Sequence, residues 1–173
     1  VTAPCMTACP GNVRIPDYIE QIRFREFDRA LDTVLCDCAM PGTIGRVCVR
    51  PCESACKRGK VDEPLAIKRL KRFLADDNAS RNPFPERLKP AVTGKRVAVV
   101  GAGPAGIACA YYRARRGIAA TVFEMQERAG GMARYGIPDY RLPPSVIERE
   151  VERITAQGCD IRYGVTVGAD LTL

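Results

Sequence analysis

From residue 13 to residue 35 apolar side chains return every three to five positions, at Ile15, Ile19, Ile22, Phe27, Leu31 and Val34. That spacing predicts one helix with a single buried face. Pro16 suits its first turn, and Asp17 and Glu20 favour the positive end of the helix dipole. "AMPGTIG" reads as a loop, and a second helix is expected from near Pro64 to about Asp76, with Leu65, Ile67, Leu70, Phe73 and Leu74 on its apolar face. Residues 76–95, "DDNASRNPFPERLKPAVTGK", are polar, contain three prolines and keep no period, so a boundary falls there. The texture then changes to alternating strands and helices. "RVAVVG" reads as a buried strand, "PAGIACAYYRARRG" as a helix ended by Gly117, and "AATVFE" as a second strand. "PPSVIEREVERITAQG" is another helix, apolar at Val146, Ile147, Val151 and Ile154 and ended by Gly158, and "CDIRYGVTVG" supplies a further strand. These patterns predict an α-helical domain over residues 1–78, a linker over 79–94, and the first part of an α/β Rossmann-like domain over 95–173.

With 173 residues, 46% of them hydrophobic, the chain can bury a real core. It has no run of eighteen apolar residues and no secretory pattern, which predicts a cytoplasmic protein without membrane insertion. It opens at a valine just before a cysteine cluster and ends on "VTVGADLTL", as expected of a piece of a longer protein. Twenty-seven basic residues against 20 acidic ones give a charge of +7. The basic residues are scattered except in "KRLKR" at 68–72, which reads as a solvated helix face; no aromatic stacking pattern accompanies it, so no nucleic-acid partner is expected. The chain contains no histidine, which excludes a histidine base and a Ser/His nucleophilic pair.

"VAVVGAGPAGIACA" carries Gly101, Gly103 and Gly106 as G-x-G-x-x-G between a predicted strand and a predicted helix. There, backbone N–H groups and the helix dipole can receive a pyrophosphate. Gly101 allows the tight turn, Gly103 the approach of the phosphates, and Gly106 the close packing of helix on strand. The second strand ends in Glu124, whose carboxylate can accept hydrogen bonds from a ribose and would repel a 2′-phosphate. FAD and NAD share this fold. The following "MQERAGGMARYGIPDYRLP" adds Gly130 and Gly131, where a loop passes close to a cofactor or to another backbone; this stretch resembles the FAD-binding half of the glutathione-reductase-like flavoproteins.

Nine cysteines are present and seven crowd into residues 5–56. Without an export signal, that clustering points to metal ligation before disulfides. Cys5 and Cys9 form C-x3-C-P, the tail of the bacterial ferredoxin run, and Cys48, Cys52 and Cys56 follow four apart in "GRVCVRPCESACKRG". A zinc site is not excluded by spacing, but a redox cluster has a use beside a flavin domain. Cys109 and Cys159 read as core residues.

Taken in order, "CxxxCP", the "IPDYI" helix, "GRVCVRPCESACKRG", "PLAIKRLKRF", "VAVVGAGPAG" and "GGMARYGIPDYRLP" resemble the small (beta) subunit family of NADPH-dependent glutamate synthase. Its relatives include the N-terminal part of dihydropyrimidine dehydrogenase and the NADPH-binding subunit of electron-bifurcating transhydrogenases. The resemblance implies a helical domain with two [4Fe–4S] clusters, an FAD domain with an inserted NADPH domain, and electron flow from NAD(P)H through FAD and the clusters to a partner subunit or domain. It implies that Cys5 and Cys56 serve one cluster, completed from upstream, and that Cys9, Cys48 and Cys52 serve the other. The fourth ligand of the latter would be a glutamine or glutamate where this chain has Lys71, and an ammonium cannot ligate iron. Either Cys36 or Cys38 substitutes, or that cluster has a different ligand set or is missing; alternatively both are partly buried thiols at a helix end. For FAD the resemblance implies Gly103, Pro104, Ala105, Gly106 and Ile107 around the pyrophosphate, Glu124 at the ribose, and Gly130, Gly131 and Met132 against the cofactor. Arg141 would contact a phosphate or the flavin, and Val167 would touch the cofactor from the neighbouring strand. Two other classes remain: a non-catalytic module with zinc and a nucleotide fold used as an interaction scaffold, and a fragment of an NAD-linked dehydrogenase. The chain stops before a second glycine fingerprint, so on its own it is expected to be inactive.

Overall fold

Six prolines start six helices. A fixed φ and a missing N–H cost nothing at the first helical positions, and the computed structural model, which describes residues 2–81 and 93–172, uses Pro4, Pro16, Pro41, Pro51, Pro104 and Pro144 there. The chain divides into two compact units, residues 1–83 and 84–173.

The first unit is helical, with α1 (Pro4–Thr7), α2 (Ile15–Arg23), α3 (Phe27–Asp37), α4 (Pro41–Val47), α5 (Pro51–Ser54), a 3-10 turn at Lys57–Lys60, and α6 (Ile67–Arg81). The single helix expected over residues 15–34 is two. Ile22 and Phe27 are five apart, a step that leaves the helical phase, and the chain breaks there with Arg25 in the left-handed region at φ 60°. Residues 41–47, expected as loop, form α4. α2 packs on α3, and α6 packs on both α3 and α4. Their shared core holds Tyr18, Ala30, Val34, Thr43 and Leu74, all at or below 1% exposure.

α6 starts later than expected and continues to Arg81, past Asp76, into residues assigned to the linker; residues 82–92 lie outside those described. Its buried stripe is also different from the expected one: Ile67, Lys71, Leu74 and Asn78 face inward, at steps of four and three, while Leu65 and Phe73 are about two fifths exposed. So "KRLKR" is not wholly a solvated face, because Lys71 is only 8% exposed. Two side chains from other elements fasten the start of α6. Glu53 Oε1 accepts the Lys68 N–H at 2.9 Å, and the Tyr18 hydroxyl donates to the Ile67 carbonyl at 3.1 Å. A carboxylate on a first-turn donor both satisfies that N–H and complements the dipole.

The second unit is a three-stranded parallel sheet in the order β1 (Arg96–Val100), β2 (Ala119–Glu124), β3 (Cys159–Tyr163). Arg96 pairs with Ala119, and Ala120 with Cys159. α7 (Pro104–Ala114) crosses from β1 to β2; α8 (Met132–Tyr135) and α9 (Pro144–Thr155) lie between β2 and β3. Ile107, Ala110, Val122, Ile147 and Ile154 form the core. β1, expected to be buried, has only Val99 buried and leaves Val100 61% exposed, since it pairs on one side with β2. β3 ends at Tyr163, so Val167 is not on a sheet strand but in a turn closed by its bridge to Leu171.

A Cβ built on Gly45 in α4 would stand 2.9 Å from the Arg72 Cα, a backbone atom that cannot swing away. Gly45→Val should therefore lower the stability of the helical unit by about 2 kcal/mol, read as a lower denaturation midpoint, whereas Gly11→Ala, with nothing nearer than 3.7 Å, should leave it unchanged.

Candidate functional site

Cys48 caps the C-terminus of α4, Cys52 lies in α5, and between them Arg50 takes the left-handed conformation at φ 58°. That turn aims the Arg50 N–H at Cys48 Sγ, 3.3 Å away. Cys9 follows α1, its N–H held by the Met6 carbonyl at 3.0 Å. These separate segments bring Cys9, Cys48 and Cys52 onto the wall of one small cavity, together with Tyr18, Lys68 and Lys71. Burial pushes the Cys52 thiol above its ordinary range, with Cys48, Cys9 and Glu53 adding to the effect and Lys71 opposing it. Cys5, on α1, is raised chiefly by burial, and it interacts electrostatically with Cys56 and with Cys9. Burial also raises the Tyr18 phenol, with Cys52 the next contributor. Thiols held in the neutral form release protons when they take a metal.

Among the described residues no three His, Cys, Asp or Glu side chains converge as a single metal ion requires. Tetrahedral zinc draws its four ligands onto one point, at about 2.3 Å per sulfur, whereas a cluster of several irons takes one sulfur at each corner. The three thiols on the cavity wall, Cys9, Cys48 and Cys52, are donors of the type that iron–sulfur clusters use.

Cys36 and Cys38 do not join this wall. Cys36 is exposed on the outer side of α3, beside Arg14, whose guanidinium is paired with Asp37 at 3.2 Å and has Cys36 as a further neighbour. Cys38 caps α3 and is buried. Cys159 is a core residue: its Sγ lies 3.3 Å from the Ala110 carbonyl, and burial pushes its thiol up to about 11. Cys109 is half-buried in α7.

In the second unit the glycine turn is defined by what a side chain would strike. Gly101 sits at φ 87°, a conformation that disfavours a Cβ. A Cβ on Gly106 would lie 1.9 Å from the Gly101 carbonyl oxygen, and one on Gly131 would lie 2.8 Å from the Gly103 Cα. Gly130 and Gly131 therefore approach another backbone: the second loop rests on the first, tied by the Gly130 N–H to the Ala102 carbonyl at 2.8 Å. Gly103 caps α7 without a side-chain hydrogen bond, and the first bond inside the helix runs from Ile107 N to Gly103 O at 3.0 Å. Pro104 and Ala105 are exposed in that first turn, so the helix end presents to solvent an opening turn whose first N–H groups have no acceptor inside the helix, as an anionic phosphate requires.

Glu124, the expected ribose ligand, also bonds main chain through both of its oxygens. It is 6% exposed, its Oε2 accepts the Ala102 N–H at 2.6 Å, and its Oε1 accepts the Gln126 N–H at 2.8 Å. The carboxylate clamps the glycine turn to the end of β2. Ile107 is a fully buried packing residue whose N–H is already used. Met132 is 76% exposed at the start of α8, Arg141 is exposed ahead of α9, and Val167 is half-buried. Among the described residues no helix is long and apolar enough to cross a membrane.

Residues that the spacing did not mark are Arg50, Glu53, Tyr18 and the buried side of Lys71. A left-handed Arg and a carboxylate acting on main chain leave no periodic trace, but Lys71 shares the four-and-three step with Ile67 and Leu74.

Comparison with known proteins gives two matches along the chain. A family described as dihydropyrimidine dehydrogenase domain II, 4Fe-4S cluster, covers residues 1–83, and a family described as NAD(P)-binding Rossmann-like domain covers residues 99–149. Subunit beta of NADP(+)-dependent formate dehydrogenase from Moorella thermoacetica is 43% identical over 100% of this chain and 27% of its own. Subunit beta of NADPH-Fe(3+) oxidoreductase from Geobacter sulfurreducens is 42% identical over 99% of this chain and 26% of its own. The glutamate synthase [NADPH] small chain of Mycobacterium tuberculosis is 35% identical over 97% of this chain and 34% of its own. The chain thus spans between a quarter and about a third of the length of these relatives. With cysteines gathered in a helical unit and a glycine turn opening a parallel α/β unit, residues 1–83 belong with the dihydropyrimidine dehydrogenase domain II, 4Fe-4S cluster family, and residues 99–149 with the NAD(P)-binding Rossmann-like domains.

Proposed function

We propose that the chain is the electron-input module of an NAD(P)H-dependent iron–sulfur flavoprotein oxidoreductase, with FAD on the glycine turn and clusters on the cysteines, delivering electrons to a partner subunit. The observation that carries this is the coexistence, in one chain, of a three-thiol cavity wall and a glycine turn whose close backbone approaches leave no room for a Cβ. The names of the relatives, beta subunits and small chains of NADP(H)-dependent enzymes, agree with it.

Bound FAD and clusters would supply the conversion of a two-electron hydride transfer into single-electron steps, while the protein supplies placement and electrostatics. In this chain Cys9, Cys48 and Cys52 would hold one cluster, and Cys5 with Cys56 would contribute to a second. The Arg50 N–H, directed at Cys48 Sγ, would stabilise thiolate charge there. The first turn of α7 would bind the pyrophosphate, and Gly103 and Gly131 would let it approach. Glu124 would fix the turn in the binding conformation and offer its free lone pairs to the ribose.

Cys52→Ser in the complete protein should remove the iron and acid-labile sulfide of one cluster while leaving flavin content intact; an unaltered iron count would contradict the ligand assignment. Glu124→Ala should strip flavin, because the buried Ala102 N–H loses its acceptor at about 1–3 kcal/mol. Flavin retained in full after extensive dialysis would show that the clamp does not govern the site. Occupancy by nicotinamide nucleotide with no yellow cofactor would favour an NAD-linked dehydrogenase instead.

A further inference from the structure

The described residues that line the cavity gather three thiols and no fourth ligand. Among the described residues on its wall there is no Asp, Glu, Asn, Gln or His. The Tyr18 hydroxyl is engaged as a donor to the Ile67 carbonyl, 3.1 Å away. What remains is cationic: Lys68, half-buried, and Lys71, which is 8% exposed on the inward stripe of α6 between Ile67 and Leu74. An ammonium has three donors and no acceptor, so it cannot ligate iron. Cys36 faces solvent beside Arg14, and neither it nor Cys38 reaches this wall.

A buried ammonium needs negative charge nearby, and hydrogen bonds to accept its protons. A cluster held by three thiolates provides both, through its net charge and its sulfide and thiolate acceptors. The position of Lys71 therefore complements a site that is one ligand short.

Resting on the iron–sulfur reading above, we propose that Cys9, Cys48 and Cys52 hold a three-thiolate cluster in which one iron finds no ligand among the described residues of this chain, and that Lys71 is the positioning residue beside the cluster, balancing its charge. That iron is then exchangeable. Oxidation by ferricyanide would take one electron from [4Fe–4S]2+ and release Fe2+, leaving [3Fe–4S]+; ferrous iron with a reductant would reverse the change.

The test uses the complete protein, purified anaerobically with its clusters. Ferricyanide titration should develop the EPR signal of [3Fe–4S]+ in step with loss of one iron from that cluster, and added Fe2+ with dithionite should erase it. Lys71→Cys, which supplies a fourth thiolate, should abolish the signal and retain the iron; Lys71→Gln, with a carbonyl acceptor, serves the same purpose if the cysteine variant does not fold. Lys71→Met should keep the exchangeable iron but lower the midpoint potential of the cluster, a shift that altered packing without loss of charge would not give. Full iron and sulfide with no [3Fe–4S]+ signal in the unaltered protein would overturn the proposal, as would an undiminished signal in Lys71→Cys. Absence of acid-labile sulfide altogether would overturn the iron–sulfur reading first, and this inference with it.

Discussion

A carboxylate placed on main-chain N–H groups fixes the geometry of each candidate site. In the helical unit Glu53, 16% exposed, accepts the Lys68 N–H at the start of α6 and so brings α5, with Cys52, against the helix that carries Lys71. In the α/β unit Glu124 accepts from Ala102 and Gln126 and locks the glycine turn to the end of β2. An N–H hydrogen-bonded to a charged acceptor contributes about 1.5–3 kcal/mol, and the bonds from Lys68 and Ala102 join segments distant in sequence. They act beside the Tyr18 hydroxyl on the Ile67 carbonyl in the first unit and the Gly130 N–H on the Ala102 carbonyl in the second, which tie the same segments.

Backbone constraints were the readable part of the candidate sites. Gly101, Gly106 and Gly131 are required because a Cβ would be strained or would strike main chain at under 3 Å, and steric needs of that kind appear directly as residue type and spacing. Prolines at helix starts and glycines at helix ends are legible for the same reason. Parallel strands joined by a helix followed from apolar runs separated by one amphipathic stretch.

Tertiary constraints were harder to read. The break at Arg25 uses a left-handed arginine where a glycine or asparagine would have announced it, and only the five-residue step from Ile22 to Phe27 hints at the change of phase. Lys71 sits on the buried stripe of α6 with the cavity as its neighbour, and in a run of basic residues only its four-and-three step with Ile67 and Leu74 hints at that. Glu124 was recognisable as the acidic end of β2, yet its main-chain partners depend on how the turn folds back. Cys36 and Cys38 show the reverse case: a close pair of thiols at the end of α3, one exposed and one buried, neither of which lines the cavity.

The central claim is that thiols in one unit and a glycine cradle in the other equip one chain with clusters and a flavin. The most direct measurement is the visible absorption spectrum of the anaerobically purified complete protein, with iron, acid-labile sulfide and released flavin determined on the same sample. The account predicts flavin bands over a broad charge-transfer shoulder, with sulfide matching iron and flavin stoichiometric with the chain. A colourless protein containing zinc, or a yellow protein with neither iron nor sulfide, would contradict it.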